Sequence, residues 1–161
     1  MPNIIISKAI KKDVPLILSF IKELAKYERL SKSVTATLKI LRKNLFGRKK
    51  AAETLIAYLD GRPAGFAVFF HNFSTFLGRP GIYLEDLFVK PEYRGKGVGK
   101  KLLVEVARIA KKRDCGRLEW SVLNWNKPAI DFYRKLDAKA LDEWTMYRVT
   151  GDALNKLAGK K

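Results

Sequence analysis

A mixed α/β fold, a central mixed β-sheet with helices on both faces, is predicted from three observations. Short runs rich in β-branched and aromatic residues are interleaved with stretches whose apolar residues recur every three or four positions. The dipeptide Asp60-Gly61, a strong hairpin signal, separates two of those runs. A strand-like run then enters a turn with alternating glycines and leaves it as the most regular amphipathic stretch of the chain.

The first strand is expected at residues 4–6, Ile-Ile-Ile. Asp13 caps a helix with Pro15 in its first turn, and Leu16, Ile17, Phe20, Ile21 and Leu24 fall on one face. After a loop over 26–33, Thr35 or Thr37 caps a second helix carrying Leu38, Leu41 and Leu45, which Gly47 ends. Strands follow at 54–59 and 64–70, joined by the turn at Asp60-Gly61, and at 82–89, stopped by Pro91. The helix over 98–112 buries Val98, Leu102, Leu103, Val106, Ile109 and Ala110, and Gly116 closes it. A strand at 117–123, a short helix capped by Asn126 with Pro128 in its first turn, a strand at 144–149 and a helix from about Asp152 complete the order, with a further strand possible around 139–141.

The chain has 161 residues, 47% of them hydrophobic, enough for one core, and a single domain over 1–161 is expected. Lys and Arg number 33 against 16 Asp and Glu, a formal charge of +17. Nucleic acid, an acidic membrane surface or a phosphate-rich cofactor all fit such a field. The lysines are dispersed rather than gathered in one tract, which favours a solvated surface. No apolar run approaches the ~18 residues of a membrane span, and the start lacks a secretory pattern, so a cytoplasmic protein is expected. Cys115 is the only cysteine and reads as a small apolar filler.

The densest signal is Leu87-Phe88-Val89 running through Pro91 into Arg94-Gly95-Lys96-Gly97-Val98-Gly99-Lys100. Glycine lets backbone N–H groups approach an anion, and a helix start adds free donors and partial positive charge. The spacing G-x-G-x-G departs from the dinucleotide fingerprint, and Lys101 occupies the Ser/Thr place of a P-loop. What remains is Arg-x-x-Gly-x-Gly between a strand and a helix. This resembles the acetyl-CoA loop of the GNAT superfamily of N-acetyltransferases. Asn126-Lys127-Pro128-Ala129-Ile130-Asp131-Phe132-Tyr133 is similar to that family's later motif.

Three stretches resemble the diamine acetyltransferases of the spermidine/spermine N1 type: residues 21–28, residues 83–89 with Tyr93-Arg94-Gly95, and residues 125–133. Departures are Asp137 where the family has glycine, a shorter segment before Trp144, and no carboxylate in the loop 72–81. The resemblance implies acetyl-CoA as cosubstrate and no metal. It implies cofactor contacts from Leu87, Phe88, Val89, Arg94, Gly95, Lys96, Gly97, Val98, Gly99, Lys100, Asn126, Pro128 and Ala129. Backbone N–H groups near Phe88 would bind the thioester oxygen if the strand splays from its neighbour. It also implies a homodimer formed through the later strands.

An amine attacks a thioester only when neutral, and an amine of pKa ~10.4 is rarely so at pH 7. Glu85 and Asp86 point to opposite faces of a regular strand, so one of them meets the site; the resemblance favours Glu85 as base. Tyr133 is placed by the motif to protonate the departing thiolate. His71, the only histidine, is the alternative base, although a lone histidine is more often structural. Tyr27, Glu28, Glu85, Glu119, Trp120 and Glu143 are the expected substrate lining, and the implied substrate is a small primary amine: a diamine, a polyamine or a lysine-like amino acid such as thialysine. The alternatives are a protein or peptide N-acetyltransferase, and a non-enzymatic basic module stacking bases on Tyr27, Trp120 and Trp125. No helix-turn-helix, ribonucleoprotein or zinc pattern supports the last, and neither specific nucleic-acid binding nor membrane binding is expected.

Overall fold

A computed structural model of the chain describes residues 1–159. They form two compact units, Met1–Leu123 and Asn124–Lys161. The first contains β1 (Ile4–Lys8), α1 (Val14–Tyr27), α2 (Leu38–Phe46), β2 (Glu53–Leu59), β3 (Arg62–Ser74), β4 (Arg79–Val89), α3 (Val98–Lys112) and β5 (Leu118–Trp120). The sheet order is β1-β2-β3-β4-β5. Neighbours are antiparallel except β4 and β5, which are parallel.

Local chemistry explains most boundaries. Thr37 caps α2 by accepting the Ile40 N–H at 3.2 Å. Asp13 begins α1 without capping it: its carboxylate accepts the Ile10 N–H at 2.8 Å, tying down the preceding turn. Asp60 and Gly61 both take the left-handed conformation, φ 48° and 78°, which the tight turn between β2 and β3 requires. Helix α3 has the expected bounds and buries Val98, Leu102, Leu103, Val106 and Ala110, with Ile109 half-buried. Gly116 does not close it: the helix ends at Arg113 and turns at Asp114, φ 55°. Gly116 instead donates its N–H to Pro80 O at 2.9 Å and lets Leu77 approach where a Cβ would stand.

The two faces of the sheet are covered by different helices. Ile56, Phe66, Val68 and Phe88 form a buried cluster with Ile17 and Phe20 of α1 and Leu45 of α2. Phe20 stacks on Phe66 with ring centres 5.1 Å apart and meets Phe88 edge-on at 6.4 Å. Helix α3 packs across β1 to β4 and takes the alternate residues, among them Ala67, Phe69 and Leu84. Strands β3 and β4 outrun the expected 64–70 and 82–89 because they pair through Ser74 and Arg79 to a tip bearing exposed Phe76 and Leu77.

The second unit contains α4 (Lys127–Arg134) and α5 (Gly151–Leu157). The strands expected at 144–149 and around 139–141 are not formed: residues 141–150 are exposed and without regular structure, apart from a turn at 142–143. A strand needs a hydrogen-bonded neighbour, and these residues have none among those described. The strand expected over 117–123 is confined to Leu118–Trp120 for the same reason.

Candidate active site

The parallel pairing of β4 with β5 stops after Leu84 opposite Trp120. Among the described residues, the strand from Glu85 to Val89 is paired through its β3 side alone. Lys90 N–H reaches Ala64 O on β3 at 2.9 Å, and the Phe88 carbonyl also points to β3, since a Cβ on Gly65 would lie 2.4 Å from it. By alternation along an antiparallel ladder, the N–H groups of Leu87 and Val89 therefore face the open edge. Two unpaired donors on one strand edge are able to donate to the carbonyl oxygens of an extended, amide-bearing ligand.

The open edge runs into the glycine turn. Gly95 and Gly97 have φ 74° and 85°, a conformation that side chains resist, and Gly97 is the residue at which α3 begins. The first bond inside α3 runs from Lys101 N–H to Gly97 O at 3.0 Å, leaving the Val98, Gly99 and Lys100 N–H groups without acceptors in the helix. With the lysines at 96, 100 and 101 nearby, this suits a phosphate. Lys101 is engaged elsewhere, donating to Ile4 O at 3.1 Å. Arg94 does not point into the turn: its Nε donates to Val89 O at 2.9 Å and its guanidinium lies 4.6 Å from the Tyr27 ring centre. It clamps the turn to the end of strand and helix, a positioning task.

Carboxylates gather on the α1 side of this edge. The β3–β4 register slips between Val68 and Phe69: Val68 faces Asp86 while Phe69 faces Leu84, so Glu85 is the extra residue of a β-bulge. The bulge turns Glu85 out to solvent and leaves Asp86 on the same face as Val68 and Phe88, partly buried. Glu28 stands at the end of α1, its carboxyl raised above the usual range by burial. Burial, then the negative charges of Glu85 and Glu28, push Asp86 up to about 7. Alternation along the strand left either carboxylate able to meet the site, and the bulge that separates the two depends on β3.

The other expected residues are distributed differently. Glu119 is on β5, but Arg117 Nε lies 2.7 Å from its carboxylate and Asn72 Nδ2 donates to the same oxygen at 3.1 Å, so its charge is already matched. Trp120 ends β5 opposite Leu84. His71 faces Arg113, with 3.4 Å between Nε2 and the guanidinium, and Arg113 also holds Glu53 through two hydrogen bonds. In the second unit Asn126 caps α4 by accepting the Ala129 N–H at 3.4 Å. The rings of Phe132 and Tyr133 are 5.6 Å apart. Asp137, φ 58°, occupies a left-handed position after α4, which explains why glycine suits that place and aspartate is tolerated. Glu143 lies in the exposed stretch before α5.

Among the described residues no helix is long and apolar enough to cross a membrane, and no cluster of three His, Cys, Asp or Glu is arranged for a metal. Residues 19–138 match the acetyltransferase (GNAT) family. The chain is 39% identical over 171 residues to a thialysine N-epsilon-acetyltransferase of Sus scrofa, covering 99% of this chain and 100% of that one. It is 48% identical over 94 residues to an L-ornithine N5-acetyltransferase of Arabidopsis thaliana, 58% of this chain and 41% of that one. Among solved structures, an integron cassette protein from the mobile metagenome of V. cholerae superposes with a TM-score of 0.80 at 31% identity, covering 96% and 97% of the two chains. With the family match and an end-to-end relative both in place, the chain belongs to the acetyltransferase (GNAT) family and is an N-acetyltransferase.

Proposed function

We propose that this enzyme transfers acetyl from acetyl-CoA to a small primary amine that carries a second polar or charged group, of the diamine or lysine-like kind. The observation that carries the reading is the open half of β4: Leu87 and Val89 present unpaired N–H groups, the phosphate turn follows directly, and Glu28, Glu85 and Asp86 lie at its head. Those carboxylates make a local acidic patch on a chain of formal charge +17. Contact between charges outweighs remote surface charge screened beyond ~8 Å at physiological salt. The full-length relative named for thialysine supports the substrate class.

In this reading the turn at 94–100 and the start of α3 hold the pyrophosphate, and Asn126, Pro128 and Ala129 are further cofactor contacts that the family resemblance implies. Leu87 and Val89 N–H groups bind along the acyl arm, and the nearer one stabilises the oxyanion of the tetrahedral intermediate. Tyr27, Glu28, Glu85, Trp120 and Glu143 contact the amine. A carboxylate of the Glu85–Asp86 pair removes the ammonium proton, Glu85 being the one the family resemblance favours, and Tyr133 protonates the thiolate as the C–S bond breaks. The chain works as one domain over 1–161, supported by the family match running from 19 to 138 across both units. A homodimer is supported by the exposed Trp144, Met146 and Tyr147, at 76%, 65% and 90% accessibility. A cytoplasmic setting suits the single cysteine, half-buried and unpaired with another.

Turnover of acetyl-CoA with thialysine, lysine, putrescine, spermidine and a peptide N-terminus tests this. The small amines should lead, and Tyr133→Phe should lower their kcat by about ten to a thousandfold. A peptide preferred more than about tenfold, or ~1.4 kcal/mol of transition-state stabilisation, would transfer the chain to the protein-acetylating class.

A further inference from the structure

The amine must lose a proton at a pH where it is almost wholly charged, and the two adjacent carboxylates are not equivalent for that task. Glu85 is the extra residue of the bulge and is exposed. A carboxylate open to water is a good counter-ion for an ammonium and a poor proton acceptor at neutral pH. Asp86 pairs with Val68, on the face of the sheet that carries Phe66 and Phe88, and is partly buried there.

The charged groups around Asp86 are unevenly signed. From its own strand comes Glu85 and from the end of α1 comes Glu28, both negative. The cations that follow Asp86 in the chain are held by other groups: Arg94 by Val89 O and the Tyr27 ring, and Lys90 near Glu23 at 3.9 Å. Strand β3 contributes the apolar Val68, and its His71 lies against Arg113. Among the described residues no ion pair to Asp86 is formed.

We propose that Asp86 is the proton acceptor of the acetyl transfer, the inner member of a carboxylate pair whose exposed member, Glu85, draws in the ammonium group. The proposal rests on the amine-acetylating reading above. The ammonium passes one proton to the Asp86 carboxylate, directly or through one water. The freed lone pair then forms the N–C bond at the thioester carbonyl. The C–S bond breaks, its electron pair leaves on sulfur, and the thiolate takes up a proton as the amide nitrogen loses its remaining extra one. Asp86 releases its proton to water before the next turnover, so one ammonium and one thioester give one amide, one thiol and one proton. A base near 7 is matched to this duty: it is largely ionised at neutral pH and still attracts a proton. Besides lining the amine, Glu28 acts through Asp86 and keeps its proton affinity high.

The test is the pH profile of kcat/KM, which reports the free enzyme, for wild type, Asp86→Asn, Glu85→Gln and Glu28→Gln, each with two amines of different basicity. Wild type should show a limb near pH 7 that stays put when the amine is changed. In Asp86→Asn that limb should vanish and kcat/KM at pH 8 fall by about a hundredfold or more, with acetyl-CoA binding retained by calorimetry. Glu85→Gln and Glu28→Gln, whatever their rates, should keep the limb and move it to lower pH, Glu85→Gln further, because each removes a negative charge that raises Asp86. These two shifts decide the matter even where Asp86→Asn fails to fold. An Asp86→Asn enzyme that keeps the limb, a limb that follows the amine, or its loss in Glu85→Gln overturns the proposal while leaving amine acetylation intact. A wild type that binds acetyl-CoA and acetylates no amine overturns both.

Discussion

Two carboxylates on one sheet, Glu53 and Asp86, are treated in opposite ways. Glu53 begins β2 opposite Phe69, where β4 is paired on both sides as far as Leu84, and Arg113 holds its carboxyl below the usual range by hydrogen bond and charge. Asp86 lies just past the bulge, where β4 has lost its β5 neighbour, and burial with two negative neighbours raises it to about 7. The closed end of the sheet neutralises its charge and contributes stability. The open end keeps a carboxylate without an ion pair among the described residues, unpaired donors and a left-handed glycine turn, features that add little stability and mark the candidate site.

Removing part of the closed end should cost the most. Leu84 is 2% exposed, and Leu84→Ala should lower stability by about 2–5 kcal/mol in denaturant melts while leaving acetyl-CoA affinity little changed. A comparable loss of cofactor binding in the folded protein would mean the two halves of β4 are not separable.

Asp86→Asn should move stability the other way. Its folded-state value, raised from 3.8 to about 7, means that the fold favours the protonated form. Ionisation therefore costs nothing below about pH 4, costs progressively more up to pH 7 and its full amount above that, at most ~4 kcal/mol. Asparagine has no such cost, so the variant should gain stability at pH 8 and match wild type near pH 4, as thermal melts at the two pH values will show. A loss at pH 8 would place Asp86 among the stabilising groups with Glu53.

The smallest effect belongs to Glu53→Gln. Because its folded value is depressed, the Arg113 pair contributes above the ordinary carboxylate range and fades as pH falls through the folded value. The pair is partly exposed and screened, so the loss at pH 7 should be about 1 kcal/mol and less at pH 3. An unchanged melt at pH 7 would remove the contrast from that side.

The parts legible from sequence are those decided by neighbours along the chain. The bounds of α3, the Thr37 and Asn126 caps and the left-handed pair at Asp60-Gly61 follow from side-chain chemistry within a few residues. So does the glycine turn at 95–99. What was not legible depends on a partner strand. The alternation through Glu85 and Asp86 carries no sign that β3 skips a residue, so the bulge and the inward placement of Asp86 emerge only from pairing. The aromatic and β-branched residues of 144–149 suit a strand, yet composition alone forms none without a hydrogen-bonded neighbour, and among the described residues they have none. Glu119 was an acidic candidate by composition, and Arg117 two residues before it sits beside its carboxylate.

The difference between the two halves of β4 is tested most directly by the backbone amide signals of the isotopically labelled protein during titration with acetyl-CoA. The largest shifts should fall on Leu87, Val89 and the turn residues Gly95, Gly97, Val98 and Gly99, with Ile82 and Tyr83 nearly unmoved. Shifts centred instead on the groove between β1 and α3, lined by Ile4, Ile6, Lys101 and Val104, with Leu87 and Val89 silent, would contradict the account.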